Sequence, residues 1–240
     1  NHSFDLLSCF PASAEPGKAF TSVTYSNLYF REPESRADQT RMMSIVTTGA
    51  ETGYYVDVFR SRKEKGGDKM HDYFYHNLGQ TLTLTAADGS DLNLQPTEEL
   101  AFAGAHLYAY SYLYDKKVAA TNKDVKATFT IDMKDKDGDD IYMNLWMKGE
   151  PDREVFTALA PMTEGLSRTP NMPYNIKEQP TPTFVARQHG EAWNRPFVSI
   201  YEPSTKKEPS AIQSVSYFDA EGAGLEDFAG ICVKSKNGRI

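Results

Sequence analysis

With 240 residues, 40% of them hydrophobic and 25% charged, the chain has the make-up of a soluble-type globular protein and room for one large β domain or two small ones. Its net charge of −7 argues against nucleic acid as a partner, because an acidic surface repels phosphate backbones. No apolar run approaches the ~20 residues that a bilayer-spanning helix needs.

The opening residues, through Leu7, already read as a strand in progress. The segment Gly53-Tyr-Tyr-Val-Asp-Val-Phe-Arg60 alternates apolar and polar residues. It is followed by Gly66-Gly67 and then by His71-Asp-Tyr-Phe-Tyr-His76. Alternation on both sides of a glycine-bearing break predicts two strands meeting across a loop. Residues 81–85 alternate again, and Asp88-Gly89 predicts a tight turn after which Leu92 and Leu94 return as a hairpin. Thr97 is placed to cap a short helical turn, and residues 152–159 are a second candidate for one.

Phe129, Ile131 and Met133 predict one strand face, and Ile141, Met143, Leu145 and Met147 the face of its return strand. The acidic stretch between them resembles a calcium loop only superficially. Aligning Gly138 with the invariant glycine puts Met133 and Asn144 where carboxylates are required, so a hairpin tip is expected instead. Residues 161–182 are Pro-rich and predict a long surface excursion. Later strands are expected at 183–188, 196–201, 211–218 and 230–235. Asn237-Gly238 is a hairpin signal with two residues after it, so both ends read as cut from a longer polypeptide.

These signals predict an all-β fold, a single β-sandwich domain over residues 1–240 with antiparallel sheets packed face to face and little helix. Cys9 and Cys232 leave a disulfide between the two ends open, though a chain of this size does not need one.

Tyr55-Val-Asp-Val-Phe-Arg60, the glycine-rich break and His71-Asp-Tyr-Phe-Tyr-His76 resemble the C-terminal β region of the heparinase II/III-like polysaccharide lyases. Phe184-Val-Ala-Arg-Gln-His-Gly190 and Pro196-Phe-Val-Ser-Ile-Tyr-Glu-Pro203 fit the same family in order and spacing. The resemblance implies a parent enzyme that cleaves uronate-containing polysaccharide by β-elimination, with an α/α-toroid preceding these sheets. Such chemistry needs a base for the C5 proton, an acid for the leaving oxygen and a neutraliser for the carboxylate, tasks that Tyr and His suit. In the family these groups come mainly from the toroid and the first β strands, beside a metal site containing His-x-His. This chain has neither long amphipathic helices nor His-x-His. What remains resembles the supporting sandwich, with no catalytic residue, metal or cofactor of its own. The missing toroid is then its partner, acidic polysaccharide its possible ligand, and the periplasm or the extracellular space its location. A freestanding carbohydrate-binding or adhesion module is the competing expectation.

Individual residues carry alternatives. His71 and His76 lie five apart on a strand, on opposite faces and roughly 16 Å apart, which disfavours a shared metal. A structural role under a loop, with Tyr73 beside His71, is expected. Asp57, with Arg60 nearby, either orients a catalytic histidine or forms a core ion pair. Trp146 and Tyr142 share a face, and Trp193 sits beside Arg195; each aromatic either stacks on sugar or packs between sheets. His2, His106 and His189 have no partner visible in the sequence, and His2 stands nearest to the family's last metal ligand.

Overall fold

A computed structural model describes residues 3–11, 22–102, 104, 107–133, 138–163, 178–220 and 228–238. In chain order the strands are β1 (Asp5–Phe10), β2 (Val23–Glu32), β3 (Ala37–Thr47), β4 (Gly53–Lys63), β5 (Met70–His76), β6 (Thr81–Ala86), β7 (Gln95–Pro96), β8 (Tyr114–Ala120), β9 (Val125–Ile131), β10 (Ile141–Met147), β11 (Arg153–Ala160), β12 (Thr181–His189), β13 (Ala192–Thr205), β14 (Ile212–Phe218) and β15 (Gly230–Ser235). One 3-10 turn, Leu107–Tyr112, is the sole helical element among the described residues. None of their helices is long and apolar enough to cross a membrane.

The strands form an eight-stranded sheet ordered β1-β2-β3-β4-β13-β10-β9-β6, a five-stranded sheet ordered β5-β12-β11-β8-β7, and the hairpin β14–β15. Alternation explains how they stack. Val125, Ala127 and Phe129 of β9 and Leu145 and Met147 of β10 project from one face of the large sheet onto Phe184 and Ala186 of β12. On the opposite face, Val56, Val58, Val198 and Ile200 meet Ile212 and Val215 of the hairpin. The strands β4 and β13 are therefore covered on both sides. That is why residues 196–202 are buried almost continuously instead of alternating. The buried Glu202 fixes the hairpin by accepting the Ala211 and Ile212 N–H groups at 2.7 and 3.2 Å. A fourth layer, carrying Leu100 and Leu113, covers Phe156 and Val185 on the outside of the small sheet. Each such buried side chain contributes roughly 1.5–3 kcal/mol relative to exposure.

The small sheet does not reach across the whole large one. Beyond its edge strand β5, the large sheet continues as a wing, β3-β2-β1, on which Leu6, Met43 and Ile45 remain exposed.

The all-β architecture and the β9–β10 hairpin match expectation, with Phe129 opposite Met143. Three local expectations fail. After the Asp88-Gly89 turn the chain does not return beside β6, which pairs with β9 instead. It crosses to the small sheet, and Leu92 and Leu94 pack into the core on the way. The candidate helix at 152–159 is strand β11, because consecutive residues Val155 and Phe156 meet different layers of the sandwich. Thr97 accepts the Glu99 N–H at 3.1 Å, but no helix follows. Cys9 and Cys232 are free thiols, on β1 and β15 respectively. The hairpin tip expected around residues 134–137, residues 164–177 of the expected surface excursion, His2 and His106 lie outside the described residues.

Candidate functional site at the open edge of the sandwich

The strand β4 places its odd-numbered residues toward the small sheet and its even-numbered ones toward the hairpin. Asp57 thus faces inward, opposite Met43 on β3 and Ser199 on β13, although valines flank it in sequence. It is 2% exposed. Arg41, on the same face of β3, donates from Nε at 3.0 Å and from Nη2 at 2.6 Å to the two Asp57 oxygens. The Tyr73 hydroxyl, on the edge strand β5 above, donates to Asp57 Oδ2 at 2.6 Å. Tyr73 in turn accepts from the Tyr201 hydroxyl, and Tyr201 accepts from Ser199 Oγ at 3.3 Å. Every donor in this relay points toward the carboxyl group.

Burial first, and then the Asp57 charge, pushes the Tyr73 hydroxyl well above the usual phenol range. Burial does the same to Tyr201, and Tyr75 is pushed up to about 12 by burial and the neighbouring Tyr55. These phenols remain protonated at neutral pH and act as donors, not as bases. The bond to Asp57 raises the Arg41 guanidinium further above its ordinary value. Arg41 lies over the Phe59 and Tyr73 rings at 6.0 and 5.7 Å, and its side chain is 47% exposed. The network therefore holds a cation at the line where the wing emerges from under β5.

One step along the same edge lies a cavity of about 320 Å³ lined by Gln39, Ser61, Lys63, Lys69 and His71, and also by the Asp72–Arg187 pair. The β4–β5 loop shapes it. Asp68 Oδ1 accepts the Lys63 N–H at 2.6 Å and lies 2.7 Å from His71 Nε2. Burial acts to raise the Asp68 carboxyl, but the His71 and Lys63 bonds outweigh it and the group sits below the ordinary carboxylate range. Asp72 receives both Arg187 Nε and Nη2 at 2.8 Å and the Tyr110 hydroxyl at 2.7 Å. Ser61 is fully buried, and its Oγ has no hydrogen-bond partner among the described residues.

Asp57 is thus part of a buried ion pair, and its partner is Arg41 rather than Arg60 or a histidine. Arg60 is one of the even-numbered residues and faces away; its guanidinium donates to the Trp193 carbonyl. Trp193 is half-buried in a bulge where β13 advances from 192 to 197 while β4 retreats only from 61 to 59. The Arg62 guanidinium covers its ring at 4.1 Å. Gly190 enters that bulge with φ +78, a conformation glycine adopts at no steric cost, and Arg195 folds back to the His189 carbonyl at 3.0 Å and Asp152 at 3.1 Å.

Trp146 is not available to a ligand: it is 6% exposed beneath the hairpin, with Lys126 Nζ 5.0 Å from its ring. Tyr142 lies half-buried on that same face. His71 and His76 do point to different layers. His71 pairs with Asp68 under the loop, whereas His76 Nδ1 meets Thr183 Oγ1 at 2.8 Å and its ring stacks on Phe74. Burial lowers the His76 imidazole below its ordinary value. His189 pairs with Glu154 at 2.7 Å. No group of three His, Cys, Asp or Glu side chains is arranged to hold a metal among the described residues.

Sequence reasoning missed Arg41, Tyr201, Ser61 and Gln39. The available signal was a charged or polar residue at the inward phase of residues 37–47, a strand whose register against β4 no local pattern encodes.

No family model matches the chain. Over 221 residues, 90% of its length, the chain is 32% identical to an endo-acting ulvan lyase of Formosa agariphila. It is therefore related to a polysaccharide lyase, and it spans about a quarter (25%) of that relative's length.

Proposed function

We propose that this chain is the β-sandwich support domain of a heparinase II/III-like polysaccharide lyase, that it carries no catalytic base or acid, and that it walls the cleft in which an acidic polysaccharide is cleaved. The similarity to an ulvan lyase along nearly the whole chain supports the polysaccharide-lyase part of this reading, and ulvan is the first substrate to test. In β-elimination a base removes the proton α to the uronate carboxyl, the electron pair forms the new C=C bond, and the C–O bond to the leaving sugar breaks with protonation of that oxygen. A base must be deprotonated at the working pH. The phenols of Tyr73 and Tyr201 are raised and buried, and both Asp57 oxygens are bonded, which suits positioning of Arg41 and not proton abstraction.

The exposed apolar wing, with Leu6, Met43 and Ile45 beside Arg41, is the face we assign to the α/α-toroid of the parent enzyme. A polymer substrate also places the enzyme in the periplasm or outside the cell. The test compares this chain alone with the full product of its reading frame on ulvan, alginate, heparin and heparan sulfate. Unsaturated-uronate absorbance is expected from the full product only; its appearance with the chain alone would refute the non-catalytic role.

A freestanding carbohydrate-binding module is the second reading, favoured by the half-buried Trp193 ring at the β13 bulge. It predicts oligosaccharide binding by calorimetry that Trp193→Ala abolishes.

A further inference from the structure

We propose that the cavity lined by Gln39, Ser61, Lys63, Lys69 and His71 is a subsite for the oxyanion of one acidic sugar residue. This deepens the polysaccharide role above by naming where the charge of the polymer is received.

The groups around the cavity fall into two sets. The acids are already engaged: Asp72 by Arg187 and Tyr110, Asp68 by His71 and the Lys63 amide. The donors are not. The Lys63 and Lys69 ammonium groups form no ion pair, and the Gln39 amide has no hydrogen bond, among the described residues. Ser61 Oγ is fully buried on the cavity wall without a partner among the described residues. Buried hydroxyl groups are ordinarily satisfied, so this one has room for a hydrogen bond to an oxygen that the protein does not supply, from a water or from a ligand. His71 spends Nε2 on Asp68, which fixes the ring against the wall.

The surplus is therefore two cations and two neutral polar groups around about 320 Å³, near the lower size limit of small-molecule sites and suited to one monosaccharide. A carboxylate or a sulfate ester would accept from Ser61 and Gln39 while the lysines neutralise its charge. Arg41, held by Asp57 on the same face as Gln39, is the next cation along this edge.

The experiment is calorimetric titration of the full chain with three probes: an oligogalacturonide, its carboxyl-reduced neutral form, and a sulfated galactan oligosaccharide without uronate. Binding of either anionic probe and none of the reduced one is expected, weakening as salt rises. Whichever anionic probe binds identifies the group as carboxylate or sulfate. Lys63→Ala combined with Lys69→Ala should weaken that binding about tenfold or more, and Ser61→Ala by a smaller factor of ~3–10. Urea midpoints of the variants, expected at or above that of the parent chain, separate loss of the site from loss of the fold. Equal binding of the reduced probe, or wild-type affinity in the double lysine variant, overturns the subsite. The assay of the full reading-frame product on ulvan reports the lyase role separately, so either assignment can fail while the other stands.

Discussion

Asp57 and Ser61 lie four residues apart on one face of β4, both fully or almost fully buried, yet their surroundings are opposite. Around Asp57 the neighbouring strands supply Arg41 and Tyr73, and Tyr201 and Ser199 complete the relay behind them. Around Ser61 the neighbours supply space, and its hydroxyl is left unspent. Strand alternation sends both side chains inward, but partners from β3, β5 and β13 decide which one serves the fold and which one stays receptive. A polar group whose bonds are complete stabilises; one whose bonds are missing costs stability until a ligand or water completes them.

The sharpest way to break this contrast is to open the closed network. Arg41→Ala leaves a buried carboxyl group with one partner removed. A loss of about 3 kcal/mol is expected, at the low end for broken buried pairs because Arg41 itself is half-exposed. The measurement is a urea midpoint at unchanged m-value. Tyr73→Phe removes one donor and one acceptor from the same relay but keeps the ring that packs on Phe197 at 5.5 Å. It should cost about 1–3 kcal/mol. If neither substitution moves the midpoint, the network is not what secures β5 over the large sheet.

The architecture was legible in the sequence to the extent that it depends on period-two alternation. Phe129, Leu145 and Met147 announced the β9–β10 core, and the alternation at 53–60 announced β4. What escaped depends on strand order. Asp57 pairs with Arg41 because β3 lies beside β4 in one register, and with Tyr73 because the chain changes sheets between β4 and β5. Arg60, three residues away, was the nearer candidate, but odd and even positions face different layers. The same rule governs Trp146: its face, opposite the Met and Leu core, left sugar stacking and packing between sheets both open, and the hairpin β14–β15 decides for packing. Non-local covering of this kind has no local sequence signature, and it also hid the cavity beside Ser61.

A smaller effect tests the loop that shapes the cavity. The Asp68 carboxyl is held below its ordinary value in the folded chain by His71 and the Lys63 amide. A depressed folded value means that its contribution is fully present above the unfolded value, near pH 4, and is lost as pH falls through the lower folded one. The stability gap between wild type and Asp68→Asn should therefore close progressively below about pH 4. A gap that persists at low pH would show that Asp68 acts through packing and not through its charge.

The smallest expected effect is the most discriminating. Ser61→Ala removes a buried hydroxyl that has no partner among the described residues, so no bond to them is broken and a desolvated oxygen is deleted. Stability should stay within about 0.5 kcal/mol of the parent or rise slightly, the reverse of what Arg41→Ala does four residues away. Were Ser61→Ala instead to cost more than about 1 kcal/mol without ligand, the hydroxyl would have to be bonded to a buried water. Ser61 would then belong with Asp57 among the groups that hold the fold, and the contrast along β4 would collapse.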